Sequence, residues 1–235
     1  MSSPIKQFVV LRRRAGQTIK AFHNYHYQQH GSVSQAPNPE ETPLVYYQTH
    51  FFDSVYSSTE LAQPWYTGHN DSTELYFANP EHMGRVFSSA HVREKVGPDG
   101  HNFNDFAAAI AMSASENTVY DAESDPKPSA DRQSTTATYW LQTTGEDVQA
   151  AATTLDDLIK TAFQPLATKI VSNVALPDPD GMLKYFQGKT APLYSAAYQV
   201  YLPDATSVDK FEEARRGLVI CGMQRPPKAT LQFIY

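Results

Sequence analysis

The chain has 235 residues, 41% of them hydrophobic, and a formal net charge of -6, which suits one large or two small globular domains with a buried core. Acidic residues outnumber basic ones in both halves, 12 against 8 in residues 1–121 and 13 against 11 in residues 122–235, so neither half offers the basic surface that nucleic acid or an anionic membrane needs. No segment has the roughly 20 apolar residues of a membrane span or the apolar run of a signal peptide, and the single cysteine, Cys221, excludes an intramolecular disulfide and suits a reducing, cytoplasmic compartment.

Ile5 to Leu11 is apolar and rich in β-branched residues, and Ala15-Gly16-Gln17-Thr18 breaks it before a helical pattern begins. Arg12-Arg13-Arg14 reads as the solvated end of this strand. Leu44 to Val55 is a second strand candidate and Ser72 to Phe77 a third, separated by a loop with Pro64, Gly68 and Asn70. A second helix is expected from Asn79-Pro80-Glu81, where Asn caps and Pro takes the first turn, ending before Gly97-Pro98. Phe106 to Ser113 would be the fourth strand, completing β-α-β-β-α-β.

Residues 122–134 are polar, hold two prolines and carry no aliphatic side chain larger than alanine, so they read as a linker between residues 1–121 and 135–235. The plan then repeats: a strand at Thr136 to Gln142, helical spacing from Val148 to Leu166, strands at Ile170 to Leu176 and Tyr194 to Leu202, a helix at Val208 to Leu218 and a closing strand from Ala229. The expected fold is α+β, two tandem ferredoxin-like βαββαβ units packed sheet to sheet as an α+β barrel. Such a chain could be a monomer with an internal pseudo-dimer or a homodimer.

All eight histidines lie at or before residue 101, which puts the functional pocket in the first unit. At about 100° per residue, His23, His26 and His30 fall within an arc of roughly 60° on one helix face, near Phe22, with Lys20, Asn24, Tyr25 and Gln28 turned elsewhere. Three inward imidazoles need hydrogen-bond partners or a polar cavity. They could also face one metal ion, but no carboxylate on that face completes a ligand set, so neither metal nor cofactor is expected. On the second strand Tyr46, Gln48, His50 and Phe52 share one face and Val45, Tyr47, Thr49 and Phe51 the other, and parity does not say which faces the helices. Tyr47, His50, Phe52, Trp65, Tyr76 and His101 are candidates, with Phe22 and His23, for binding a flat substrate.

The stretch Phe22-His23-Asn24-Tyr25-His26-Tyr27-Gln28-Gln29-His30-Gly31 resembles the first-helix signature of the EthD family in the dimeric α+β barrel superfamily. Arg93-Glu94-Lys95-Val96-Gly97-Pro98-Asp99, followed by Asn102-Phe103-Asn104-Asp105, resembles its closing segment. His26 stands where the family usually carries tryptophan, and Ser32 where it carries proline. The resemblance spans about residues 5–116 and picks out His30, with Asp105 as the carboxylate that orients it or acts as the acid. It implies a cofactor-independent lyase, a dehydratase or decarboxylase of an aromatic or polyketide-type intermediate. His30 would be the base, with His26 beside it. A cyclase or isomerase of the same pathway class and a non-catalytic binding protein are the alternatives. A haem protein of the chlorite-dismutase type is discounted, because its proximal histidine lies in the second half.

Overall fold

A computed structural model describes residues 4–51, 69–122, 135–143, 148–177, 194–211, 213–214 and 229–233. The chain divides into two compact units, the first built mainly on Met1–Ser115 and the second on Glu116–Ala175 with Tyr194–Ile234. Each is α+β with the ferredoxin-like succession of elements.

In the first unit β1 (Ile5–Leu11) lies between β3 (Asp71–Phe77) and β4 (Ile110–Asp121), antiparallel to both, and β2 (Val45–His50) pairs with β3, giving the order β2-β3-β1-β4. Every residue of β1 is buried, which explains why its sequence is apolar on both parities rather than alternating. The charged exception, Lys6, meets Glu74 at 2.6 Å. The register places Val9 opposite both Thr73 and Ala111, and pairs Tyr46, Gln48 and His50 with Leu75, Thr73 and Asp71. These side chains share the face that the helices cover.

The expected turn before the first helix is present: Gly16 has φ +87°, a conformation open to glycine. Thr18 then caps the helix by accepting from Ala21 N–H at 3.1 Å. Helix α1 is α-helical over Ile19–Asn24, π-helical over Tyr25–His30 and α-helical again over Gly31–Val33. Asn79 caps α2 (Pro80–Ser88), accepting from His82 N–H at 2.8 Å. The expectation that this helix runs on to Gly97-Pro98 and stops there is corrected. The helix ends at Ser88 and resumes after Ser89 as α3, π-helical over Val92–Val96 and α-helical over Gly97–Gly100. Pro98 falls in the first turn of that last segment, where a missing N–H is tolerated.

The fourth strand is also later than expected. Phe106–Ala108 forms a 3₁₀ turn and β4 begins at Ile110, because Asp105 N–H bonds Arg12 carbonyl and the Ala108 carbonyl turns to His69. The core between sheet and helices holds Val9, Leu11, Phe22, Phe103 and Ala111, with Phe77, Val86 and Val92 beside it.

The second unit orders its strands β6-β7-β5-β8, with β5 at Thr135–Thr143, β6 at Lys169–Ala175, β7 at Ala196–Leu202 and β8 at Ala229–Phe233. Helix α4 (Val148–Phe163) contributes Ile159 and Phe163 to a core with Tyr139, Tyr198 and Phe211. Cys221, most of the 122–134 stretch and the C-terminal part of the expected 208–218 helix lie outside the described residues.

Candidate functional site

Between the helix-covered face of the first sheet and helices α1, α2 and α3 lies a pocket of about 330 Å³. Its walls are apolar, with Val9, Leu11, Leu75, Val86 and three phenylalanines, Phe87, Phe103 and Phe106. Polar groups reach it from His26, His30, Tyr46, Thr73, Asn104 and Glu41. A few placed polar groups in an apolar concavity is the usual composition of a small-molecule site.

His30 and Asp99 form the first polar pair. His30 Nδ1 lies 2.8 Å from Asp99 Oδ2, and Tyr25 Oη donates to Asp99 Oδ1 at 2.7 Å. Asn102 Nδ2 donates to the same carboxylate oxygen at 3.0 Å and to Tyr25 Oη at 2.9 Å. Burial of the Asp99 carboxylate works to raise its pKa, but the bonds from Tyr25, His30 and Asn102 outweigh it and hold it below the usual value. The Tyr25 hydroxyl is pushed up by its bond to Asp99 and then by burial. His30 is pushed down by burial, which Asp99 offsets only in part and the neighbouring His26 reinforces. It is therefore neutral at pH 7. An ionised carboxylate can only accept, so the imidazole proton sits on Nδ1. That leaves the Nε2 lone pair, which bonds no group among the described residues, for the pocket.

A second polar group lies deeper. His26, 1% exposed, places Nδ1 2.5 Å from Asp71 Oδ2, itself 0% exposed. Its Nε2 lies 3.1 Å from Tyr46 Oη, and Gln48 Nε2 reaches both Tyr46 Oη at 2.7 Å and the His26 carbonyl at 3.0 Å. That carbonyl is the acceptor of the π-turn bond from Gly31 N–H. Burial pushes the Tyr46 hydroxyl upward, so it keeps its proton. Phe103 packs against both imidazoles, 4.8 Å from His26 and 4.7 Å from His30 between ring centroids.

The three helix histidines thus share a face but not a target. His23 Nε2 meets the Asn70 carbonyl at 3.0 Å and its ring stacks on His50 at 4.2 Å, while His26 and His30 meet Asp71 and Asp99. Among the described residues no three potential ligands gather to hold a metal ion. His50 is pushed down by burial of its ring and by His23, and it stands outside the pocket lining.

Other expected site residues are placed elsewhere. Asp105 pairs with Arg12, Nε to Oδ2 at 3.0 Å, so the carboxylate on His30 is Asp99, which the helical end of α3 carries inward. Tyr47 and Tyr76 meet edge to face at 6.2 Å on the sheet face away from the helices, so they do not line the pocket. Phe22 is fully buried against Phe103 as core. His101 is exposed with its ring beside Phe106. Phe52 and Trp65 lie outside the described residues. Asp99, Tyr25, Asn102 and Tyr46 are the residues that sequence reasoning missed. At α-helical spacing Tyr25 falls on the solvent side, whereas the π turn displaces residues 25–30 from that wheel.

Two consequences can be measured. Gly100 lines the pocket, and a Cβ there would stand 2.6 Å from Phe106 Cζ. Gly100→Ala should therefore displace the Phe106 ring and weaken binding of a pocket ligand about tenfold, with a stability loss of only about 1 kcal/mol; unchanged affinity in titration calorimetry would contradict this. His69, bonded at Nε2 to the Ala108 carbonyl at 2.7 Å, has its pKa pushed down to about 4, chiefly by burial. The folded state then binds fewer protons than the unfolded state, so stability present above pH 6.5 falls as the pH drops toward 4, by at most about 3 kcal/mol. In urea titrations against pH, His69→Asn should flatten this slope.

Comparison with known proteins agrees with the N-terminal motifs. Residues 14–107 match the EthD domain. The whole chain is similar in fold to an anthrone oxidase-like protein, at 11% identity, 100% of this chain, 92% of the other and a TM-score of 0.61. It is similar to a candidate monooxygenase of Fusobacterium nucleatum subsp. nucleatum ATCC 25586, at 9% identity, 100% and 94% coverage and a TM-score of 0.53. An EthD family protein of Bacillus halodurans C-125 aligns with 48% of this chain and 97% of its own, at 12% identity and a TM-score of 0.36. No curated protein matches the sequence.

Proposed function

We propose that this chain, whose residues 14–107 match the EthD domain, is a cofactor-independent lyase that removes water from a β-hydroxy carbonyl compound of aromatic or polyketide type. One observation carries the reading: a neutral imidazole, His30, held at Nδ1 by Asp99, with Nε2 unbonded at the wall of an apolar pocket. That is the arrangement of a general base whose tautomer and direction are set by a carboxylate.

In the reaction His30 Nε2 takes the proton α to the carbonyl, and the C–H electron pair passes into the carbonyl as an enolate. The enolate then expels the β-hydroxyl, which leaves as water with the proton from the His30 imidazolium. Atoms and charges balance without a further reactant. A cavity of about 150 Å³ holds benzene, so this pocket has room for roughly two fused rings, and its phenylalanines suit a flat one. Among the described residues no Lys or Arg lines the pocket, while Glu41 does. That favours loss of water over decarboxylation, whose substrate would bring a carboxylate to a site with no cation. The test is to incubate the protein with β-hydroxy ketones of one and two rings and follow loss of water by mass spectrometry. Binding without turnover would replace the lyase by a carrier.

A further inference from the structure

We propose that Asp71, His26 and Tyr46 form a second proton relay, separate from His30 and Asp99, whose pocket end is the Tyr46 hydroxyl and which takes the proton of a hydroxyl group on the bound ligand. It rests on the reading that this pocket receives the ligand.

The hydrogen bonds around His26 fit the directions that the relay requires. The His26 carbonyl can only accept, so the Gln48 atom 3.0 Å from it is the amide nitrogen. The same nitrogen lies 2.7 Å from Tyr46 Oη, so that oxygen is an acceptor there. The relay places the Tyr46 proton along its contact with His26 Nε2 at 3.1 Å. With Nε2 accepting, the His26 proton sits on Nδ1 and goes to Asp71. The result is carboxylate, imidazole and hydroxyl in series, the order by which a buried acid and a histidine activate a hydroxyl for proton removal. Asp71 Oδ1 is buried with no hydrogen-bond partner among the described residues and Oδ2 meets His26, so an imidazolium formed at His26 is well compensated.

The step balances. The ligand O–H bond breaks and its proton passes to Tyr46 Oη. The Tyr46 proton passes to His26 Nε2, the ligand keeps the electron pair as an oxyanion, and His26 becomes an imidazolium facing Asp71. Tyr46 is the group that touches the ligand; His26 and Asp71 act through it. Gln48, which donates to both Tyr46 and the His26 carbonyl, locks the tyrosine in this role.

The probe is 7-hydroxycoumarin, a two-ring phenol whose ionised form absorbs at longer wavelength. Bound to the wild-type protein, the probe should show an ionised-to-neutral ratio about tenfold that of free probe at the same pH, and Tyr46→Phe should bind it but leave it neutral. Bound probe that stays neutral in the wild type, or ionises equally in Tyr46→Phe, overturns the relay and leaves the His30 reading standing. Failure to bind overturns both. A measurement that needs no variant is ¹⁵N NMR of His26 in the free protein. A bare Nε2 and protonated Nδ1 are expected, and a protonated Nε2 overturns the proposal because Tyr46 would then be its acceptor.

Discussion

His30→Ala is expected to lower turnover of a β-hydroxy carbonyl substrate by about 10²- to 10⁴-fold, the range for losing a positioned general base. Its effect on substrate affinity should be small, because the pocket walls are mostly apolar and remain. The loss should appear in kcat and kcat/KM alike, as for an interaction made only in the transition state. The pH profile carries a second signature. Burial depresses the His30 pKa, so the basic form should persist below pH 6.5, and activity should fall only as the pH drops through the depressed value. Asp99 opposes that depression, so Asp99→Asn should shift the acid limb to still lower pH while reducing the plateau rate. A folded His30→Ala protein with wild-type turnover would remove His30 from the mechanism.

The largest stability effect is expected from Lys6→Met. Lys6 and Glu74 meet at 2.6 Å with side chains 1% and 5% exposed, and the ammonium also lies 4.9 Å from the Phe8 ring centroid and 5.4 Å from that of Tyr76. Methionine preserves most of the packing but removes the 2.6 Å ion pair from the buried Glu74 carboxylate, a loss of about 3–5 kcal/mol. The paired replacement Lys6→Met with Glu74→Leu should recover most of this, since a buried ion pair and an apolar pair of similar volume are often close in stability. Urea titration of the two variants tests the contrast. Equal destabilisation by both would mean that packing rather than charge governs the site.

The local elements were readable in the residues themselves. Apolar β1, the Gly16 turn, the Thr18 and Asn79 caps and the fall of Val9 and Leu11 on one face follow from spacing and hydrogen-bonding chemistry that act over a few residues. His26 and His30 line the pocket although both lie in the π-helical stretch Tyr25–His30, so the α-helical period placed them only to within the width of a helix face. The boundaries of α2 and β4 were not readable. The Phe106–Ala108 turn is set by bonds to distant residues, the Ala108 carbonyl to His69 and the Asp105 N–H to the Arg12 carbonyl, whereas at Ser89 the hydroxyl accepts from Val92 N–H and starts a new helix locally. Tyr25 escaped because its position depends on a π turn, which no spacing rule built on α-helical geometry contains.

The distribution of histidines and the N-terminal motifs pointed, from sequence alone, to the first unit and to His30. Tertiary structure decided the partners. Asp99 lies 69 residues from His30 and Asp71 lies 45 residues from His26, and strand parity offered Tyr46 and Tyr47 equally. A carboxylate acts on an imidazole only within hydrogen-bond reach. That reach is created when α3 closes on α1 and β2 takes its register on β3, a choice made by packing over the whole unit rather than by neighbouring residues.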